Sequence, residues 1–122
     1  MTDAHVTGVR MVAIPVADQD RAIEFYSVAL GLTKSADRVI EELGSRWVQM
    51  SAPGIEIALL KEYPGFSAGR DTGVRFVTGD AGALHAHLVG HGTKVNELLL
   101  WEGLPPMFEF DDIDGNTLYA VE

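Results

Sequence analysis

Apolar residues recur with two different spacings. Ile14-Pro15-Val16-Ala17-Asp18 closes an apolar stretch and leads into a segment with Ala22, Phe25, Tyr26 and Ala29 at helical spacing, widened by Ile23 and Leu30. Beyond it the spacing shortens to two. Arg46-Trp47-Val48-Gln49-Met50 alternates in part, and Ile55-Glu56-Ile57-Ala58-Leu59-Leu60 alternates throughout, as half-buried strands do. The order then repeats. Phe76-Val77-Thr78-Gly79-Asp80 precedes a weaker helical stripe of Ala83, Leu84, His87 and Leu88. Met107-Phe108-Glu109-Phe110 and Thr117-Leu118-Tyr119-Ala120-Val121 follow as strands. Turn residues separate the strand pairs, Ala52-Pro53-Gly54 in the first half and Asp112-Ile113-Asp114-Gly115-Asn116 in the second.

Asp18 and Asp80 lie 62 residues apart, each placed to cap a helix of about a dozen residues. Gly31 and Gly92 stand where those helices stop, and glycine accepts the left-handed geometry of a helix end. Gly54 and Gly115, 61 apart, open the last strand of each half. Each half therefore reads strand, helix, then two or three strands. The fold class expected is α+β, with two tandem βαβββ modules forming curved mixed sheets around a cleft. The chain is read as one domain over residues 1–122, with module one at about 6–61, a linker at about 62–72 and module two at about 73–122. A sheet this small cannot bury both faces alone, so the modules are expected to pair. A generic α+β sandwich with a coincidental repeat is the alternative.

Ile14-Pro15-Val16-x-Asp18-x-Asp20-Arg21-Ala22-x-x-Phe25-Tyr26, followed by Leu30-Gly31-Leu32, resembles the opening module of the vicinal oxygen chelate superfamily. Arg46-Trp47-Val48 with Pro53-Gly54, Phe76 to Asp80, Leu84-His85-Ala86 and Asp112-x-Asp114-Gly115-Asn116 extend the resemblance over nearly the whole chain. The superfamily holds glyoxalase I, bleomycin-resistance proteins and extradiol dioxygenases, so the resemblance implies a fold more sharply than a function.

The resemblance also implies where a divalent metal belongs, two ligands from each module. The matching positions are Met11, Ala58, Gly73 and Tyr119. Thioether, methyl and hydrogen offer a hard or borderline cation no strong donor, and a phenol with a pKa of about 10 is one weak ligand. A register slip would bring in Glu56 at most. The expectation is a site with no metal and no cofactor. His87 and His91 are four apart on one helical face, but a third ligand is missing nearby and HExxH is absent.

Strand alternation says what shares the cleft with those positions: Glu56 with Ala58, and Arg75 with Gly73. Arg75 needs an anionic partner, either Glu56 or Glu109 or a carboxylate or phosphate on a ligand. Trp47, in a strand, and Trp101, in the loop Leu99 to Met107, either stack on a planar ligand or fill a module or dimer interface. Tyr119 is placed to donate from its phenol or to cap the pocket. The candidate ligand-binding residues are Met11, Trp47, Glu56, Ala58, Gly73, Arg75, Trp101, Glu109 and Tyr119.

Composition narrows the partners. The 122 residues carry 18 Asp and Glu against 9 Lys and Arg, a net charge of −9. That field repels nucleic acid and anionic membrane surfaces. Cysteine is absent, which removes disulfides, thiolate metal sites and cysteine nucleophiles and fits a cytoplasmic protein. No targeting segment is read, and the longest apolar runs fall far short of the ~20 residues that span a bilayer. No nucleophile elbow, phosphate loop or dinucleotide fingerprint is present. The function expected is small-molecule binding without the usual metal, in a homodimer as in many relatives. The alternatives are a metal-dependent lyase, isomerase or dioxygenase of the lactoylglutathione lyase kind with shifted ligands, and a metal-free enzyme using Glu56, Glu109 or Tyr119 as acid–base groups.

Overall fold

The structure, a computed structural model, describes residues 4–122. Strand β1 (Met11–Val16) runs into helix α1 (Gln19–Glu24), which continues as a π-helical turn over Phe25–Ala29. Strands β2 (Thr33–Ile40), β3 (Ser45–Ala52) and β4 (Ile55–Lys61) complete the first sheet. Strand β5 (Asp71–Val77), helix α2 (Ala81–Gly90) and strands β6 (Met107–Asp111) and β7 (Thr117–Val121) repeat the plan.

The sheets are ordered β1-β4-β3-β2 and β5-β7-β6. In each, the strand before the helix lies parallel to the last strand of its module, and the remaining pairs are antiparallel. A parallel pair needs a crossover, and α1 and α2 lie within those crossovers. Both helices start on the expected caps. Asp18 accepts from the Arg21 amide at 3.2 Å and Asp80 from the Ala83 amide at 2.9 Å. Each exploits free N–H groups of a first helical turn.

Alternation fixes the faces. Ile14, Val48, Met50, Ile57 and Leu59 of the first sheet and Phe108, Phe110, Leu118 and Ala120 of the second belong to one buried cluster, with Tyr26 of the π-helical turn and Leu88 of α2. Burying each large apolar side chain stabilises the fold by about 1.5–3 kcal/mol. The modules thus share a core through their packed faces. A polar latch adds direction. The Tyr26 hydroxyl donates to Asp112 Oδ2 at 2.7 Å, and Asn116 Nδ2 donates to the Pro15 carbonyl at 2.8 Å. The Asp-x-Asp-Gly-Asn turn of module two is thereby fastened to β1 and the first helical segment.

Three details depart from the sequence reading. The second module lacks a regular strand between α2 and β6. Asn96 N–H donates to the Glu109 carbonyl and Leu99 N–H to the Met107 carbonyl. That places three steps of chain against two, and the extra residue reduces the ladder to isolated bridges at Val95 and Leu99. In α2 the buried residues are Ala81 and Leu88, whereas Ala83 and His87 are exposed. Strand β5 begins at Asp71, inside the segment expected to be linker.

Candidate functional site

The faces turned away from the core carry the candidate residues in two groups. On the first sheet, β1–β4 pairing sets Met11 beside Glu56 and Ala13 beside Ala58, and β3 sets Gln49 beside Ala58. The Trp47 indole donates to Gln49 Oε1 at 2.7 Å, and Gln49 Nε2 donates to Glu56 Oε1 at 3.2 Å. The Ser35 hydroxyl donates to the same carboxylate oxygen. Hydrogen bonds from Ser35, then Ser51 and Gln49, hold the Glu56 carboxyl below its usual range. A carboxylate kept ionised in this way accepts hydrogen bonds well and carries protons poorly near neutral pH.

On the second sheet, β5 sets Arg75 beside Tyr119 of β7, and β6 sets Glu109 on the other side of Tyr119. The guanidinium carbon lies 4.1 Å from the centroid of the Tyr119 ring. Arg75 Nη1 donates to the Gly73 carbonyl at 2.7 Å. The Tyr119 hydroxyl donates to Asp71 Oδ2 at 2.7 Å, and Asp71 Oδ1 accepts the Gly73 amide at 3.0 Å. The hydrogen bond to Asp71 raises the Tyr119 phenol above its ordinary pKa, and the same bond is the largest influence lowering Asp71. Glu109 accepts a hydrogen bond from the Asn96 amide.

Arg75, Asn96, Glu109 and Tyr119 border a cavity of about 660 Å³. Leu99, Met107, Phe108 and Val121 form apolar wall, and Arg75, Glu109 and Tyr119 supply polar groups. A largely apolar hollow with a few polar side chains is how small-molecule sites are generally built.

Arg75 takes neither of the carboxylates considered for it. Among the described residues the ion pairs of Lys and Arg side chains belong to Lys34, Arg46 and Lys94. Trp47 sits half-buried on the first sheet, and Trp101 is exposed in its loop, outside the cavity wall. No hydrogen bond, ion pair or ring contact among the described residues joins the Glu56 group to the Arg75 group, and Glu56, Gln49 and Trp47 are not among the residues that border the cavity beside Arg75. Asp71 and Asn96 were not foreseen as neighbours of the site. Asp71-x-Gly73-x-Arg75 has strand periodicity that could have revealed the first; Asn96 lies on the irregular edge, where no periodicity points to it.

Met11, Ala58, Gly73 and Tyr119 do not fit a divalent cation. Ala58 is buried with only a methyl to offer, and the Tyr119 phenol is committed to Asp71 with its proton held more tightly than usual. Among the described residues no group of three or more His, Asp or Glu side chains is gathered for a metal. The His87 and His91 rings lie 4.5 Å apart, and His87 Nε2 is bonded to the Ala29 carbonyl.

The sequence profile of the glyoxalase/bleomycin resistance protein/dioxygenase superfamily matches residues 5–119. Among solved structures, TnmS3, an antibiotic binding protein from Streptomyces sp. CB03234, is 26% identical with a TM-score of 0.85, covering 98% of each chain. A superfamily member from Sphaerobacter thermophilus DSM 20745 is 26% identical with a TM-score of 0.81, covering 96% of this chain and 98% of that one. The fosfomycin resistance protein FosX from Listeria monocytogenes, 13% identical with a TM-score of 0.78 over 96% of this chain and 93% of its own, shares the fold. No curated protein matches the chain.

Proposed function

The chain belongs to the glyoxalase/bleomycin resistance protein/dioxygenase superfamily, and from that premise we propose that it is a cytoplasmic small-molecule-binding protein that works without a divalent metal. The observation that carries this reading is the cavity of about 660 Å³ on the open face of the second sheet, at a place where the family's metal positions hold Gly73 and Tyr119. Its volume suits a drug-sized molecule. The kinship with an antibiotic binding protein points the same way. The lack of cysteine suits a reducing compartment. Among the described residues no helix is long and apolar enough to cross a membrane.

The active assembly is a homodimer. On the second sheet, Val77 of β5 is 84% exposed. A twofold axis that lays the first sheet of one copy over the second sheet of the other roofs the cavity and covers that side chain.

Thermal melting tests the reading. Metal-stripped protein and protein supplied with Zn, Ni, Mn or Fe are expected to melt alike, and planar aromatic antibiotics are expected to raise Tm. Stoichiometric metal retained through purification, or its uptake with a rise in Tm, supports the metal-dependent lyase, isomerase or dioxygenase instead. A panel in which no compound raises Tm removes the binding reading. Sedimentation equilibrium is expected to give twice the 13.2 kDa chain mass.

A further inference from the structure

We infer that the molecule held on the second sheet is an anion with an apolar, ring-bearing body, and that Arg75 reads its oxyanion, whether carboxylate, sulfonate or phosphonate. The inference rests on the binding function proposed above and adds the ligand's charge. Arg75, an exposed residue, is the one basic side chain among those that border the cavity. Lys34, Arg46 and Lys94 lie outside that lining and are paired with carboxylates. Arg75 has none within 4.0 Å among the described residues, although Asp71 and Glu109 are near in the sheet. Both of those acids are engaged: Asp71 receives the Tyr119 hydroxyl and the Gly73 amide, and Glu109 receives the Asn96 amide.

The guanidinium is held without a direct ion pair among the described residues, with the Asp71 carboxylate acting on it through space. Stacking on the Tyr119 ring fixes its plane, and the bond from Nη1 to the Gly73 carbonyl fixes its rotation. Among the described residues the Nε and Nη2 hydrogens then have no protein acceptor, and a planar fork suits the two oxygens of a carboxylate or sulfonate. Next to it runs the apolar wall of Leu99, Met107 and Val121, where a ring system loses its water. Glu97 and Glu109 border the same cavity and repel negative charge, which confines the ligand's oxyanion to the Arg75 end.

The test uses two fluorescent probes of nearly the same shape. One is 8-anilinonaphthalene-1-sulfonate, an anion, and the other is N-phenyl-1-naphthylamine, which is neutral. Both are titrated into the full chain and into Arg75→Gln, Arg75→Lys and Leu99→Trp, with circular dichroism confirming the fold. The sulfonate is expected to bind wild type about tenfold more tightly than the neutral probe. Arg75→Gln is expected to abolish that preference while the neutral probe changes less than about twofold, and Arg75→Lys to restore part of it. Leu99→Trp, which fills the cavity from its wall, is expected to weaken both. If both probes bind and Arg75→Gln leaves their ratio unchanged, anion recognition is overturned and the binding function survives. If neither binds wild type, or a folded Leu99→Trp binds both as wild type does, the inference falls together with the binding function.

Discussion

Gly73 sits within β5 at φ +71°, where the pairing with β7 slips between Asp71 and Arg75. An L side chain adopts that backbone only with strain. The slip is what turns the Gly73 carbonyl to Arg75 and the Gly73 amide to Asp71. Gly73→Ala is expected to destabilise the protein by about 1–2 kcal/mol, read from the urea unfolding midpoint, and to weaken binding of the anionic probe. Asp114 offers a different test. Its Oδ1 accepts the Ala17 amide at 3.2 Å, while Oδ2 is buried without a partner. Burial, reinforced by the charges of Asp112 and Glu62, raises its carboxyl above the ordinary range. A carboxyl whose folded pKa exceeds its unfolded pKa costs stability while ionised, and the cost fades as pH falls through the folded value. Asp114→Asn is therefore expected to melt above wild type at neutral pH, with the gap closing as pH falls into the carboxylate range, as calorimetry at a series of pH values will show.

The two halves differ most in their elements. Both helices begin on an aspartate cap and both stop near a glycine, because capping and left-handed stops depend on residues within one turn and are visible locally. Helix α2 has a second acceptor at its start, Glu122 Oε2, 2.9 Å from the Ala81 amide. With that bond in place, Asp80→Ala is expected to cost about 1 kcal/mol, measured by chemical denaturation. The irregular edge after α2 was not legible. Whether Asn96 and Leu99 meet Glu109 and Met107 with equal steps depends on two segments counted against each other, and neither shows the mismatch by itself. Strand β2 likewise escaped a definite reading; its residues are mostly exposed, so they lack the apolar alternation that reveals a strand.

At the level of the whole molecule, Asn116 is the joint between modules. It is fully buried, donates to the Pro15 carbonyl and to Asp112, and accepts the amides of Gly69 and Arg70. Asn116→Ala is expected to cost on the order of 3 kcal/mol, with a lower denaturation midpoint. The sequence by itself determined the repeated βα plan, the caps, the turns and, in the strands it revealed, the side on which a residue stands, since all of these follow from periodicity and from chemistry within a few positions. It placed Arg75, Glu56, Glu109 and Tyr119 on strand faces turned away from the core. Only the tertiary structure decided which of them meet. Arg75 rests on Tyr119 and Gly73 while Glu56 is tied to Gln49 and Ser35 on the other sheet. Side-chain direction is a property of one strand, whereas proximity depends on sheet order, register and the way two modules pack, and no local stretch of sequence encodes those.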